Sequence, residues 1–355
     1  ADPDSISSNF VSIIFKDQSG KLWIGTSSGL DRFDPETGIS IHYLPGPTDP
    51  PGSHRNNIRS IHEKPAGQYW IGTREGLYHF DINKDIWTKI DLSSGAGADD
   101  INNTWILIIR EDQEGMLWVT TWGAGLFRIE PDSKQITHYQ NDQEDPESIV
   151  SDQVLSAYQD QSGTLWFGTT SGLSSFDSKT QTFDNYREKD GLPNEIIYCV
   201  LGDSVGNIWM STNKGISKFD PGEEIFQNFT VDDGLQSNEF NGNACNYGIN
   251  GEMIFGGING FNIFSPTRVQ TNQYSPPVVF TSLVVDGNDV LPNITGSQKP
   301  ELAIKWPENS FEFEYASLSF NQPKKNQYAF YLEGFDNKWS NVGSRRYGKY
   351  TNLPG

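Results

Sequence analysis

The sequence predicts an all-β protein, a β-propeller of four-stranded blades followed by part of an immunoglobulin-like β-sandwich. A unit rich in glycine and tryptophan recurs six times at nearly constant spacing. After the last copy, the unit gives way to short strands of alternating polarity. Thirteen per cent of the residues are aromatic and 35 are glycine, a composition typical of short strands joined by tight turns.

The repeated unit reads Asp-x-x-Gly-x-x-Trp-x-Gly-Thr-x-x-Gly-Leu-x-x-Phe-Asp and predicts one blade per copy. Its copies are centred on Trp23, Trp70, Trp118, Trp166, Trp209 and, in degenerate form, Ile254, at spacings of 47, 48, 48, 43 and 45 residues. This period fits four strands and exceeds that of leucine-rich or ankyrin repeats. Within a copy, the Asp-x-x-Gly turn joins the innermost strand to the Trp strand, and two further strands follow. We interpret the repeated Trp, Gly-Thr and Phe residues as core residues.

The number of blades is left open by the repeats. Six copies are visible, and the last, from Gly251 to Phe264, lacks an outer strand. We therefore favour a seven-bladed ring in a longer parent protein, with the missing blade supplied by sequence before Ala1. Closure with six blades is the alternative.

A domain boundary is predicted where the repeats end. A proline-rich connector covers residues 271–277, so we assign residues 1–272 to the propeller and residues 273–355 to the N-terminal part of the sandwich. Residues 311–315 alternate between aromatic and acidic side chains, which indicates a sheet with one wet face. The second segment is shorter than the roughly 100 residues of a complete sandwich.

Charge and hydropathy limit the partners that we expect. The chain has 26 basic and 46 acidic side chains, a net charge of −20, so phosphate backbones are repelled and no nucleic acid is expected as a partner. No apolar run of about 18 residues is present, so we expect contact with a membrane only through a transmembrane helix outside this sequence.

The sequence indicates no metal site and no cofactor. The five histidines are scattered through the first three repeats, and the repeated aspartates are explained by their turns. The two cysteines, Cys199 and Cys245, are too few for a disulfide framework. We expect buried free thiols, and a disulfide bond, which an oxidising compartment would permit, is the alternative.

The repeats resemble the two-component regulator propeller repeats of the periplasmic sensor regions of hybrid two-component systems. The most specific motifs are Asp-Gly-Leu-Pro-Asn at 190–194, Asp-Gly-Leu-Gln-Ser-Asn-Glu-Phe-Asn at 233–241, Phe-Gly-Gly-Ile-Asn-Gly-Phe at 255–261 and Phe-Ser-Pro at 264–266. The stretch Tyr-Ala-Phe-Tyr-Leu-Glu-Gly-Phe-Asp at 328–336, with Trp339, and Tyr-Thr-Asn-Leu-Pro-Gly at 350–355 are similar to the triple-tyrosine domain that follows such propellers.

The resemblance implies an extracytoplasmic ligand-binding sensor domain of a membrane-bound hybrid two-component histidine kinase. Such a domain lies on the periplasmic side of the bacterial inner membrane, detects an oligosaccharide or another small-molecule ligand and relays the signal through the sandwich to a membrane helix. The parent receptor is expected to be a homodimer. The kinase domain would lie outside this chain, so no catalysis is expected of the fragment itself.

Candidate ligand-binding residues come from the loops that open on one face of a propeller. These are the turns between the second and third strands and the loops before each innermost strand. They provide Arg55, Arg74, Trp105, Trp122, Asn213, Lys214 and Asn259. Aromatic faces stack on sugar rings, and Arg binds carboxylate or sulfate through two parallel hydrogen bonds. The alternatives are an exposed ion pair between Arg74 and Glu75 and a core position for Trp105.

Two other functions are open. A propeller lyase of the streptogramin-lyase type, acting on a carbohydrate or cyclic peptide, would need a histidine and carboxylates that converge on the channel. Of the five histidines, only His54 falls in a loop of that face. A protein-interaction propeller would instead present a broad apolar or charged face.

Overall fold

Antiparallel strands dominate the computed structural model, which describes residues 5–49, 52–93, 101–269, 277–285, 287–290, 309–318, 326, 328–351 and 353. The chain divides into two units, Ala1–Val269 and Gln270–Gly355. The predicted boundary between residues 272 and 273 lies outside the described residues.

In the first unit the described residues form five four-stranded sheets and one three-stranded sheet, each with its strands in sequence order. The first two sheets are β1 (Val11–Lys16), β2 (Leu22–Thr26), β3 (Gly29–Phe33), β4 (Ser40–Tyr43), and β5 (Ile58–Glu63), β6 (Gln68–Thr73), β7 (Gly76–Asp81), β8 (Ile86–Lys89). The third and fourth are β9 (Ile106–Glu111), β10 (Leu117–Thr121), β11 (Leu126–Ile129), β12 (Ile136–Tyr139), and β13 (Val154–Gln159), β14 (Leu165–Thr169), β15 (Leu173–Asp177), β16 (Thr182–Tyr186). The last two are β17 (Ile197–Gly202), β18 (Ile208–Thr212), β19 (Gly215–Asp220), β20 (Ile225–Phe229), and β21 (Phe240–Tyr247), β22 (Met253–Gly257), β23 (Gly260–Phe264).

Short 3-10 helices of three residues each interrupt the loops of this unit. They are His54–Asn56, Ile101–Asn103, Glu188–Asp190, Val231–Asp233 and Pro266–Arg268. The first two directly precede innermost strands of their sheets, so they help to position the loops that the sequence assigns to the ligand-binding face.

The first strand of each sheet contacts the first strand of the next, from β1 through β5, β9, β13 and β17 to β21. Side-by-side innermost strands are the arrangement of propeller blades, so the prediction of an all-β propeller with four-stranded blades is confirmed. Ile14 on β1 is 66% exposed, whereas Ile61, at the equivalent position of the next blade, is 4% exposed because the first blade covers it. A seventh blade in the parent protein stays a prediction.

The core lies between the sheets and is organised around the repeated tryptophans, as predicted. Trp23, Trp118 and Trp209 are almost completely buried. In four blades the indole Nε1 donates a hydrogen bond to the Asp that opens the repeat: Trp23 to Asp17 at 2.9 Å, Trp118 to Asp112 at 2.7 Å, Trp166 to Asp160 at 2.8 Å and Trp209 to Asp203 at 2.9 Å. The repeated Asp therefore shapes its turn and also satisfies the only polar atom of a buried indole.

The expectation of free thiols is wrong, because Cys199 and Cys245 form a disulfide bond. Cys199 lies on β17 and Cys245 on β21, and their Cα atoms are 6.1 Å apart. The two residues are 46 positions apart, close to one repeat period. Adjacent blades place their innermost strands side by side, so cysteines about one period apart can meet.

The described residues of the second unit form two antiparallel sheets. Its strands are β24 (Val278–Val285), β25 (Asn288–Asp289), β26 (Phe311–Ser317), β27 (Tyr328–Phe330), β28 (Ser340–Gly343) and β29 (Tyr347–Tyr350). One sheet has the order β25-β24-β26-β29, and the other pairs β27 with β28. Phe313 and Tyr315 of β26 are buried, whereas Glu314 is exposed, as the alternation predicts. The immunoglobulin-like assignment stays a prediction.

Candidate functional site

A cavity of about 330 Å³ lies among the innermost strands of all six blades. It is lined by Val11, Ser12, Arg59, Trp105, Leu107, Trp122, Leu155, Tyr198, Gly242 and Asn243. Its floor is therefore built from strands and only part of its wall from loops.

A β-bulge in each innermost strand determines which side chains reach this cavity. In the first five blades the pairing with the second strand shifts directly after the first residue of the ladder, which leaves one extra residue unpaired. These extra residues are Ser12, Arg59, Leu107, Leu155 and Tyr198, and all five line the cavity. Repeats that share their turn and core motif thus differ at the position that faces the cavity.

Two tryptophans form an aromatic wall at this cavity. The ring centroids of Trp105 and Trp122 are 6.3 Å apart, with an angle of 36° between the planes. Trp122 is 46% exposed, which is unusual for so large an apolar side chain. The turn that carries it is held in place by hydrogen bonds from the backbone N–H groups of Gly123 and Gly125 to the carbonyl of Asp152. The extra residue of this turn places an indole face at the cavity.

Arg74 is fixed against this wall. Its guanidinium carbon lies 4.0 Å from the ring centroid of Trp105, within the range of a cation–π interaction. The alternative ion pair between Arg74 and Glu75 is not formed, because Glu75 accepts from Arg55 at 3.4 Å instead. The alternative core position for Trp105 is also wrong, since Trp105 is only partly buried and lines the cavity.

Arg55 lies outside the cavity, in an ion cluster of its own. Its guanidinium is 3.6 Å from Asp49 and 3.4 Å from Glu75. Burial lowers the pKa of Arg55, but the neighbouring Tyr78, Asp49 and Glu75 outweigh this effect and raise it. The charge of Arg55 is therefore already compensated by the protein.

The remaining predicted residues differ in their distance from the cavity. The Asn213 side-chain oxygen accepts a hydrogen bond of 2.9 Å from the hydroxyl of Tyr198, which does line the cavity. Lys214 is exposed and 3.3 Å from Glu188, and the backbone N–H of Asn259 donates to the side chain of Gln236. The structure thus brings together Arg74, Trp105 and Trp122, connects Asn213 to the cavity through Tyr198, and leaves Arg55, Lys214 and Asn259 elsewhere.

Sequence reasoning missed Arg59, which projects from the bulge of β5 into the cavity. Among the described residues, no carboxylate lies within ion-pair distance of its guanidinium, and no other charged side chain lines the cavity. Burial, followed by the nearby charge of Arg74, lowers the pKa of Arg59. Its place in the strand gives no signal by itself, because Arg59 faces the cavity only through the bulge in the pairing of β5 with β6.

The histidines lie away from the cavity in the described part of the chain. His42 Nδ1 is 2.6 Å from a carboxylate oxygen of Asp31, and His138 stacks on Phe127. His62 is 3.0 Å from Glu111; burial lowers its pKa more than that contact raises it. The described residues also contain no cluster of three or more His, Cys, Asp or Glu side chains suited to a metal ion.

The fold, the blade repeats and the central cavity define a propeller with a strand-lined cavity. The sequence profile of the two component regulator propeller matches residues 5–28, 148–171 and 191–214. The chain therefore carries two-component regulator propeller repeats, and the recognition of these repeats in the sequence is confirmed.

Individual proteins similar to this chain come from several bacteria. Histidine kinase P4 from Formosa agariphila is 24% identical over 71% of this chain and 23% of the kinase. The extracellular domain of a hybrid two component system from B. thetaiotaomicron is 25% identical with a TM-score of 0.69, over 98% of this chain and 46% of that structure. The chain thus spans less than half the length of either relative.

A third similarity concerns the fold alone. An inactive virginiamycin B lyase from Staphylococcus aureus aligns with a TM-score of 0.55 at 14% identity, over 72% of this chain and 80% of the lyase.

As for the membrane, none of the helices in the described residues has the length and apolar character required to cross it.

Proposed function

We propose that this chain is the extracytoplasmic sensor domain of a membrane-bound hybrid two-component histidine kinase and that its central cavity binds an oligosaccharide. The observation that carries this proposal is the cavity itself, which combines an exposed indole face with hydrogen-bonding side chains from several blades. Binding pockets of proteins combine apolar walls with a few such polar groups.

The wall and the floor of the cavity suit a sugar. The face of Trp122 is free to cover the apolar side of a pyranose ring. Asn243 offers an amide group to the ring hydroxyls. The hydroxyls of Ser12 and Tyr198, which donate to backbone carbonyls and to Asn213, can accept from them. Because about 330 Å³ is near the lower end of the usual pocket volumes, we expect the cavity to hold one end of a short oligosaccharide.

The periplasmic side of the inner membrane is the location that we propose. The Cys199–Cys245 disulfide supports it, because such bonds persist in oxidising compartments and are rare in the cytosol. The similarity to extracellular domains of two-component systems supports the same location. We further propose that the parent receptor is a homodimer and relays ligand binding through the second unit to a membrane helix.

The test is calorimetry of the chain with a panel of neutral and acidic oligosaccharides. Replacement of Trp122 by Ala removes the exposed stacking face, so we expect it to weaken binding about 30-fold, the usual effect of truncating a central aromatic contact. Trp339→Ala is the matched control, because Trp339 is 63% exposed in the second unit and should leave the affinity unchanged. Equal affinities of the Trp122→Ala variant and the unmodified chain would contradict the proposed site.

A second measurement separates sensing from catalysis. The sugar recovered after incubation should be chemically unchanged, and autophosphorylation of the full-length receptor in membranes should respond to the same sugar. Cleavage or elimination products would instead support the alternative of a propeller lyase.

A further inference from the structure

The charge of the cavity is opposite to that of the protein. The chain carries a net charge of −20, yet no Asp or Glu is found among the described residues that line the cavity. Arg59 is its charged residue, and the guanidinium of Arg74 stands nearby on Trp105. Acidic side chains outnumber basic ones in the chain, yet none lies among the described residues that line the cavity.

Arg59, like Arg74, has no acidic partner in the described part of the chain, whereas Arg55 and Lys214 do. Arg55 is paired with Asp49 and Glu75, and Lys214 with Glu188. The charge of Arg74 adds to that of Arg59 and does not compensate it, which agrees with the lowered pKa of Arg59. A partly buried cation without a counter-charge destabilises the fold, so its presence calls for a reason outside the fold.

The position of Arg59 in the strand makes a purely structural role a poor explanation. The bulge of β5 leaves Arg59 outside the regular ladder, while Ile58 and Ser60 on either side pair with the second strand. At the same bulge position the other blades have Ser12, Leu107, Leu155 and Tyr198, so the fold tolerates small, apolar and aromatic side chains there. Nothing in the propeller architecture requires a guanidinium at this point.

We propose that the cavity selects an acidic sugar, with Arg59 binding its carboxylate or sulfate group while Trp122 stacks on its ring. This inference rests on the proposed function and specifies the ligand class. Arg suits the task because its planar fork donates two parallel hydrogen bonds to either anion. Arg74, held on Trp105, adds positive potential without being displaced from its stacked position.

The experiment uses three probes that separate charge from ring recognition. They are a trimer of galacturonic acid, the neutral trimer of galactose, and galactose 6-sulfate, each titrated into the chain by calorimetry at physiological ionic strength. We expect an acidic probe to bind at least 10-fold more tightly than the neutral trimer. The uronate and sulfate arms distinguish the two possible anions.

Two substitutions connect this selectivity to Arg59. Arg59→Gln keeps polarity but removes the charge, and we expect it to lower affinity for the preferred acidic probe about 10- to 100-fold, the usual range for a charge-assisted contact. The affinity of the Arg59→Gln variant for the neutral trimer should equal that of the unmodified chain. Lys214→Gln removes the same charge from an exposed residue outside the cavity, so it should leave all affinities unchanged.

The melting temperature supplies a readout that separates binding from folding. Because Arg59 is an uncompensated cation, its replacement by Gln should leave the melting temperature unchanged or raise it, whereas a structural role would lower it. The selectivity of the unmodified chain is measured without any substitution, so the inference remains testable if the variant fails to fold.

The possible outcomes are distinct for the two proposals. Tight, Trp122-dependent binding of the neutral trimer without preference for acid would overturn the acidic-sugar inference and leave the sensor proposal standing. Acidic binding that is insensitive to Arg59→Gln would also overturn it. Absence of binding by every oligosaccharide, including the panel used for the sensor proposal, would overturn both.

Discussion

Removal of the Cys199–Cys245 disulfide should destabilise the propeller measurably. The perturbation is the double substitution of both cysteines by Ala, which keeps the strands but opens the cross-link between β17 and β21. The bond closes a loop with a sequence separation of 46 residues. The loss of unfolded-state entropy for a loop of that length corresponds to about 4 kcal/mol at 25 °C.

The assay is urea unfolding followed by tryptophan fluorescence, because buried Trp209 lies in the blade next to the cross-linked last blade. The double variant and the reduced unmodified chain should both lose about 4 kcal/mol relative to the oxidised chain. By the usual relation for domains of this size, the melting temperature should fall by about 8 to 16 °C. A reducing agent should not affect the double variant, which is the internal control.

Coincident unfolding curves for the oxidised and reduced chains would refute this reasoning. They would mean that the last blade does not unfold together with the rest of the ring. In that case the cross-link would constrain only local opening of the three-stranded sheet.

Two further perturbations test the blade interior and the turn at the aromatic wall. Asp203→Asn should cost about 1 to 3 kcal/mol, because one donor to the carboxylate, Trp209 Nε1 or a neighbour, loses its acceptor. Burial raises the pKa of Asp203, but hydrogen bonds led by that of Trp209 lower it below its ordinary value. Because the pKa is lowered in the folded state, the unfolded chain binds more protons in acid. The loss of unfolding free energy caused by Asp203→Asn, measured by urea unfolding, should therefore be full above about pH 4 and shrink as the pH falls through the folded-state pKa. A loss that does not depend on pH would contradict this. Gly125→Ala should lower the melting temperature more than Gly123→Ala. Both glycines have positive φ, but only at Gly125 would an added Cβ lie 2.3 Å from the Tyr139 carbonyl oxygen. Equal losses of melting temperature would contradict the steric argument.

Part of the candidate site could be predicted from the sequence because it depends on loop length. The turn after β10 is one residue longer than its counterparts, and an exposed tryptophan there is visible in the repeat alignment. Trp122 and Trp105 do lie side by side, 6.3 Å apart. Sequence position alone placed Arg55 and Arg74 in the same group, yet only Arg74 stacks on the wall, because Asp49 and Glu75 hold Arg55 elsewhere.

Arg59 could not be assigned to the cavity by counting along the strand. In a regular strand, side chains alternate between two faces, and both faces of an innermost propeller strand pack against neighbouring blades. The bulge breaks this alternation and turns one extra residue toward the channel. A bulge depends on the pairing of two strands, so its position emerges only when both are seen together.

The sequence by itself determined the all-β class, the blade repeat, the buried tryptophans and the change to a second unit. These follow from patterns within one repeat, where turn chemistry and the burial of aromatic side chains act over a few residues. Tertiary structure decided the disulfide, the partner of Arg55 and the composition of the cavity. Each of these depends on contacts between residues many positions apart, which arise only when the innermost strands of the blades assemble side by side around the channel.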